Sequence, residues 1–190
     1  MWWGNSLGYK KNMKNKIILF ILISLSSSAS ANCFLAKENN KIIKQEGECE
    51  KQYSPASTFK IQLSLMGFDS GIFKDENKPV WSCKSCDYFI NVCKLAHSPR
   101  AWMRDSCVWY SQILTKKLGI EKFQKYVKQF NYGNMDISGG LNKSWLSSSL
   151  QISPIEQIEF LQKIIHQKLP ISKTVIFKLI YFFNILFIYS

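Results

Sequence analysis

Residues 17–25, Ile-Ile-Leu-Phe-Ile-Leu-Ile-Ser-Leu, form a short apolar run preceded by four lysines, Lys10, Lys11, Lys14 and Lys16. A run of serines and the triplet Ala29-Ser30-Ala31 follow it. A basic start, an apolar centre and a small-x-small ending are the parts of an export signal. The run is short for a membrane span, so cleavage after Ala31 is expected, with an uncleaved anchor as the alternative. Asn32 stands where a lipoprotein site at Cys33 would need a small residue. Met13-Lys14-Asn15-Lys16 would itself make a typical basic start, which reads residues 1–12 as an over-extended beginning. The consequence is structural. The folded domain has to be assembled from Asn32 onward, in an oxidising periplasm where cysteines pair.

Charge points less far than it first does. Without residues 1–31 the formal charge falls from +12 to +8, because four lysines and no acid leave with them. Lys116, Lys117, Lys122, Lys125 and Lys128 alternate with apolar residues at helical spacing, as a solvated helix face does. No nucleic-acid-binding motif accompanies them, so nucleic acid is not expected as a partner. A hydrophobic share of 46% excludes an intrinsically disordered chain.

Residues 33–48 read as a hairpin: Phe34-Leu35-Ala36, a polar turn at Glu38-Asn39-Asn40, then Ile42-Ile43 returning. Cys33 and Cys49 flank it and are expected to pair. Pro55 opens a helix pattern with Phe59, Ile61, Leu63, Leu65 and Met66, which ends near Gly67 to Gly71. Residues 108–130 carry one long amphipathic pattern on Ile113, Leu114, Leu118, Phe123, Val127 and Phe130. Residues 153–168 open with Ser153-Pro154-Ile155-Glu156, a capping box before a helix.

The chemistry converges on one serine. In Ser57-Thr58-Phe59-Lys60 the two polar residues lie three apart on one helical face, so the amine can approach the hydroxyl. A serine hydroxyl needs an adjacent base, which a neutral or chemically modified lysine supplies. The helix N-terminus adds partial positive charge for a developing oxyanion. Alone this is an ordinary motif, and its plain reading is a helix start with a surface lysine. Ser106-Cys107-Val108, Tyr132-Gly133-Asn134 and Trp145 follow in chain order. Separately these read as a helix cap, a loop and a core anchor; their joint order and spacing carry the information.

Together with Tyr53-Ser54-Pro55-Ala56, Asp136-Ile137-Ser138-Gly139-Gly140 and the stretch from Trp145 to Ser153, these motifs resemble the class D (oxacillin-hydrolysing) serine β-lactamases. The resemblance covers about residues 33–170. It implies an α/β fold of the penicillin-binding, transpeptidase-like kind: an antiparallel sheet with terminal helices and an inserted helical domain. Here the helical domain would be largely present and the sheet incomplete. It also implies roles. Ser57 would be the acylated nucleophile, and its amide half of the oxyanion hole. Lys60, N-carboxylated by carbon dioxide or bicarbonate, would be the general base. Ser106 would relay the proton to the leaving nitrogen, and Trp145 would hold the carbamate through its indole. Val108 would shield the carbamate, while Tyr132 and Asn134 would shape the pocket of a small β-lactam substrate. No other cofactor and no metal are implied.

Three departures stand beside the match. The family carries a later Lys-Thr/Ser-Gly strand, and Lys173-Thr174-Val175 has Val for Gly and comes too soon after Asn134. Residues 173–190 turn strongly apolar, which reads as a divergent tail from a frameshift or premature end, with an aggregation hazard if exposed. A membrane anchor or a core element is the alternative for that tail. Cys83, Cys86, Cys93 and His97 have the residue types of a zinc site, although disulfides are favoured in an exported chain. Cys107 reads as a free, buried apolar thiol. With only His97 and His166 present, metallo-β-lactamase chemistry is excluded. The expected organisation is a signal at 1–31, a class D-like segment at 32–172 and the tail at 173–190. The expected activity is β-lactam hydrolysis, the alternative an inactive or slowly acylating penicillin-binding remnant or sensor-like domain.

Overall fold

Cys33 and Cys49 are joined in a disulfide, 5.0 Å apart at Cα, and close the hairpin expected at residues 33–48. In this computed structural model residues 33–38, 41–83 and 90–182 are described, all within one unit that begins at Cys33. The expected signal and its cleavage site, the hairpin turn at Asn39-Asn40, Cys86 and the end of the tail lie outside those residues. Strand β1 (Cys33–Glu38) pairs antiparallel with β2 (Lys41–Gly47), with Cys33 opposite Gly47 and Glu38 opposite Lys41. An irregularity between Ala36 and Lys37 shifts the register. Every residue of β2 is exposed, whereas β1 lies against helix α5 (Pro154–Ile165).

Pro55 begins a 3₁₀ turn, Ala56–Phe59, which runs directly into α1 (Lys60–Asp69). Lys60 and the seven residues Gln62–Phe68 are all buried, so α1 is the central helix rather than one with a wet face. Gly67 is required there, because a Cβ would meet the Phe73 ring at 2.6 Å. Helix α2 (Pro99–Asp105) starts with Pro99 behind a Ser98 cap that accepts from Ala101 N–H. The long pattern at 108–130 is two helices, α3 (Val108–Leu118) and α4 (Ile120–Gln129). They break at Gly119, whose φ of 77° lies in the region glycine enters freely. The apolar stripe survives the break, with Leu114, Leu118, Phe123 and Val127 all buried.

Helix α5 carries the predicted capping box: Ser153 Oγ accepts from Glu156 N–H, and Glu156 Oε2 accepts from Ser153 N–H. Of the alternatives for the apolar tail, residues up to 182 take that of a core element. Residues Lys173–Phe182 form α6, which packs on α1 and buries Val175, Ile176, Leu179 and Phe182. Phe182 meets Phe68 of α1 edge to face at 5.9 Å. Lys178, which would have interrupted a membrane segment, sits on the exposed side. Among the described residues no helix is long and apolar enough to cross a membrane.

The cysteines correct one sequence reading. Cys107 is not a free thiol; it forms a disulfide with Cys93. Cys83 is disulfide-bonded as well. A zinc site needs thiolates, and these sulfurs are committed to disulfides instead. Among the described residues no group of His, Cys, Asp and Glu is arranged to hold a metal.

Candidate active site

Three polar side chains meet at the start of α1. Lys60 Nζ donates to Ser57 Oγ at 2.7 Å and to Ser106 Oγ at 2.8 Å. Ser106 Oγ in turn donates to Ser57 Oγ at 3.0 Å, closing a triangle. Ser57 and Ser106 face solvent, whereas Lys60 is only 4% exposed. Burial without a carboxylate partner disfavours the ammonium and lowers the Lys60 pKa from 10.5 to about 8. A proton therefore leaves this amine within reach of neutral pH, and a neutral amine beside Ser57 is a base.

Two backbone kinks aim the hydroxyls. Ala56, immediately before Ser57, has φ 46°, and Ser106 has φ 60° and ψ 31°. Left-handed non-glycine residues cost about 1–3 kcal/mol each and persist only where surroundings enforce them. For Ala56 the enforcement comes from the loop of residues 145–147. Ala56 N–H donates to Trp145 O at 2.9 Å. Ser54 Oγ donates to the same carbonyl at 2.7 Å and accepts from Ser147 N–H at 2.7 Å. Ser106 ends α2, its N–H donating to Trp102 O at 2.9 Å. The cap expected at Ser106 is a C-terminal one: Ser106 closes α2, and α3 begins only at Val108.

The remaining expected site residues are placed as follows. Val108 is half-buried at the first position of α3, two residues beyond Ser106. Trp145 is 2% exposed and stacks on Phe59 at 5.6 Å, the ring that lies between Ser57 and Lys60 in the chain. Its indole N–H makes no hydrogen bond to any described residue. Tyr132 is in the core, donating from its hydroxyl to Gln157 Oε1 at 2.7 Å and touching the Phe59 ring at 5.4 Å. Burial raises its pKa. Asn134 Nδ2 donates to Ser149 O at 2.8 Å, and its Oδ1 accepts from Asp136 N–H and Gln151 N–H. Gly133 lies against Gln151 O so closely that a Cβ would overlap it. Neither Tyr132 nor Asn134 hydrogen-bonds Ser57, Lys60 or Ser106. Ser54 went unassigned in the sequence; no local pattern shows that it binds a loop 91 residues away.

The family model of the penicillin-binding protein transpeptidase domain matches residues 24–183. The chain is 38% identical over 183 residues to β-lactamase OXA-9 of Klebsiella pneumoniae, covering 85% of this chain and 66% of that protein. It is 39% identical over 196 residues to β-lactamase OXA-1 of Escherichia coli, covering 86% of this chain and 70% of that protein. The chain belongs to the class D β-lactamases. The crystal structure of the class D β-lactamase OXA-427 superposes with a TM-score of 0.75 at 44% identity, covering 80% of this chain and 66% of that one. The class D match accounts for the penicillin-binding, transpeptidase-like fold around Ser57 and Lys60. Helix α6 lies within the residues matched by the transpeptidase family model. The chain spans about two thirds of the length of these class D relatives.

Proposed function

We propose that this chain hydrolyses β-lactams through an acyl-enzyme on Ser57. The observation that carries the reading is the triangle of Ser57, Lys60 and Ser106, with its buried, easily deprotonated amine. Ser57 Oγ attacks the lactam carbonyl carbon while its proton passes to Lys60 Nζ. The carbonyl–nitrogen bond breaks, and the proton returns through Ser106 Oγ to the leaving nitrogen. Water then attacks the Ser57 ester, gives a proton to the base at Lys60 and releases the opened acid and the free serine. The Ser57 N–H makes no hydrogen bond to a described residue, which suits it to meet the oxyanion.

Lys60 as an N-carboxylated residue belongs to this reading. Neutral amines add carbon dioxide, and the lowered Lys60 pKa provides one; the carbamate would supply an oxygen base at the same point. The OXA names of the relatives support a β-lactam as substrate. Export by the segment at residues 1–31 would deliver the chain to the periplasm. A coloured cephalosporin assay, run with and without added bicarbonate, tests the whole reading. Turnover that rises with bicarbonate and disappears in Ser57→Ala is expected. A single burst of labelling without turnover would favour a penicillin-binding role, and no labelling would overturn the reading.

A further inference from the structure

Ser106 is held from both sides, and both holds end on one short segment, residues 93–97. Before it, Asp105 Oδ2 lies 3.1 Å from His97 Nε2, and Arg104 donates to the same carboxylate from Nε and Nη2 at 2.7 and 2.8 Å. After it, Cys107 is bonded to Cys93, and its Sγ lies 3.4 Å from His97 Nε2. The segment is itself anchored: Trp109 Nε1 donates to Cys93 O at 2.8 Å, and His97 pairs with Trp81 through two backbone hydrogen bonds of 2.8 and 2.9 Å. Cys93, His97 and Cys107 are all buried.

Local preference does not explain the bend they enclose. Asp105-Ser106-Cys107-Val108 contains neither Pro nor Gly, so nothing in it stops α2 from continuing into α3. Cys107 is extended as well, with φ −72° and ψ 114°; were both residues right-handed, the two helices would run on and the Ser106 side chain would leave the face it shares with Lys60 and Ser57. A covalent tie at the very next residue prevents that. We propose that Cys93 and Cys107, through their disulfide, are positioning residues for Ser106, holding its backbone in the left-handed turn that sets Oγ between Lys60 and Ser57. The inference rests on the acylation reading above.

A double-mutant cycle tests it, using the rate of Ser57 labelling by a fluorescent penicillin on the full chain. Removing the disulfide as Cys93→Ala with Cys107→Ala is expected to slow labelling about 10²-fold, the scale of a misplaced catalytic group. In a Ser106→Gly background the same removal should change the rate less than about twofold, because no hydroxyl remains to misplace. Equal losses in both backgrounds, or no loss in either, would overturn the proposal. A second pair, Cys93→Ala with Cys107→Val, refills the space of the sulfurs, and circular dichroism selects the pairs that fold. If neither pair folds, the disulfide is a condition of the whole fold and the positioning role falls. The Ser106 amide-to-Hα coupling, which reports φ, is measured on the same proteins. If the parent chain is never labelled, the acylation reading fails, but an unchanged coupling without the disulfide would separately overturn this inference.

Discussion

Lys60 Nζ lies 2.7 Å from Ser57 Oγ, with the amine buried and the hydroxyl facing solvent. The asymmetry matters chemically. The base is kept dry, which weakens its hold on a proton, while the nucleophile stays within reach of a ligand.

The first prediction follows from that amine. If Lys60 acts without carboxylation, labelling of Ser57 should rise with pH through a midpoint near 8, where the buried amine deprotonates. A stopped-flow pH profile in bicarbonate-free buffer measures it; a rate flat between pH 6.5 and 9.5 would remove Lys60 amine as the titrating base.

Burying Lys60 also costs stability. Its folded pKa lies below the unfolded 10.5, so the unfolded chain binds the extra proton and stability rises as pH passes from about 8 to 10.5. Lys60→Met should therefore stabilise the fold by about 2–3 kcal/mol at pH 7 while abolishing labelling. Urea denaturation decides this, and a destabilised Lys60→Met would contradict it.

Ser106 is predicted to matter to rate more than to fold. Ser106→Ala should slow labelling by about 10²–10⁴-fold, the range of a lost proton relay. Ser106→Gly should be equally slow yet more stable than Ser106→Ala by about 1 kcal/mol, since glycine accepts the φ of 60° freely. Melting curves and labelling rates of the two variants are to be compared.

Ser54 makes two hydrogen bonds of 2.7 Å to the loop of residues 145–147. Ser54→Ala should cost about 1–3 kcal/mol, because Ser147 N–H loses its acceptor and the left-handed Ala56 loses part of its support. Faster hydrogen exchange at Ala56 and Ser147 than in the parent would be the local sign; unchanged exchange would show that the loop holds without Ser54.

Residues 173–182 are predicted to belong to the core. Ile176→Ala or Leu179→Ala should each destabilise by about 2–5 kcal/mol, since both side chains are fully buried against α1. Phe177→Ser, on the exposed side, should stay within about 0.5 kcal/mol. Thermal melts of the three variants would reveal a detached tail if all behaved alike.

Local chemistry was legible wherever it acted over a few residues. The Cys33–Cys49 hairpin, the helix behind Pro55, the capping box of Ser153 and Glu156, and the Ser57–Lys60 spacing all work within about sixteen positions. The division of 108–130 at Gly119 was missed because the apolar stripe continues through it. The tail stayed open between anchor, core element and divergent end because apolar composition overshadows its amphipathic period, and only packing on α1 distinguishes its buried from its exposed face. Cys107 looked free because its partner, Cys93, lies across a loop.

By itself the sequence determined which residues could do chemistry, since a nucleophile and base three positions apart on a helix meet whatever surrounds them. Tertiary structure alone decided whether that chemistry is armed. Ser106 arrives from 46 residues beyond Lys60, held by a left-handed turn that its own sequence does not demand. Lys60 loses its proton readily only because helices packed around α1 exclude water from its amine. Desolvation and long-range contact belong to the assembled fold, and no stretch of the chain encodes them alone.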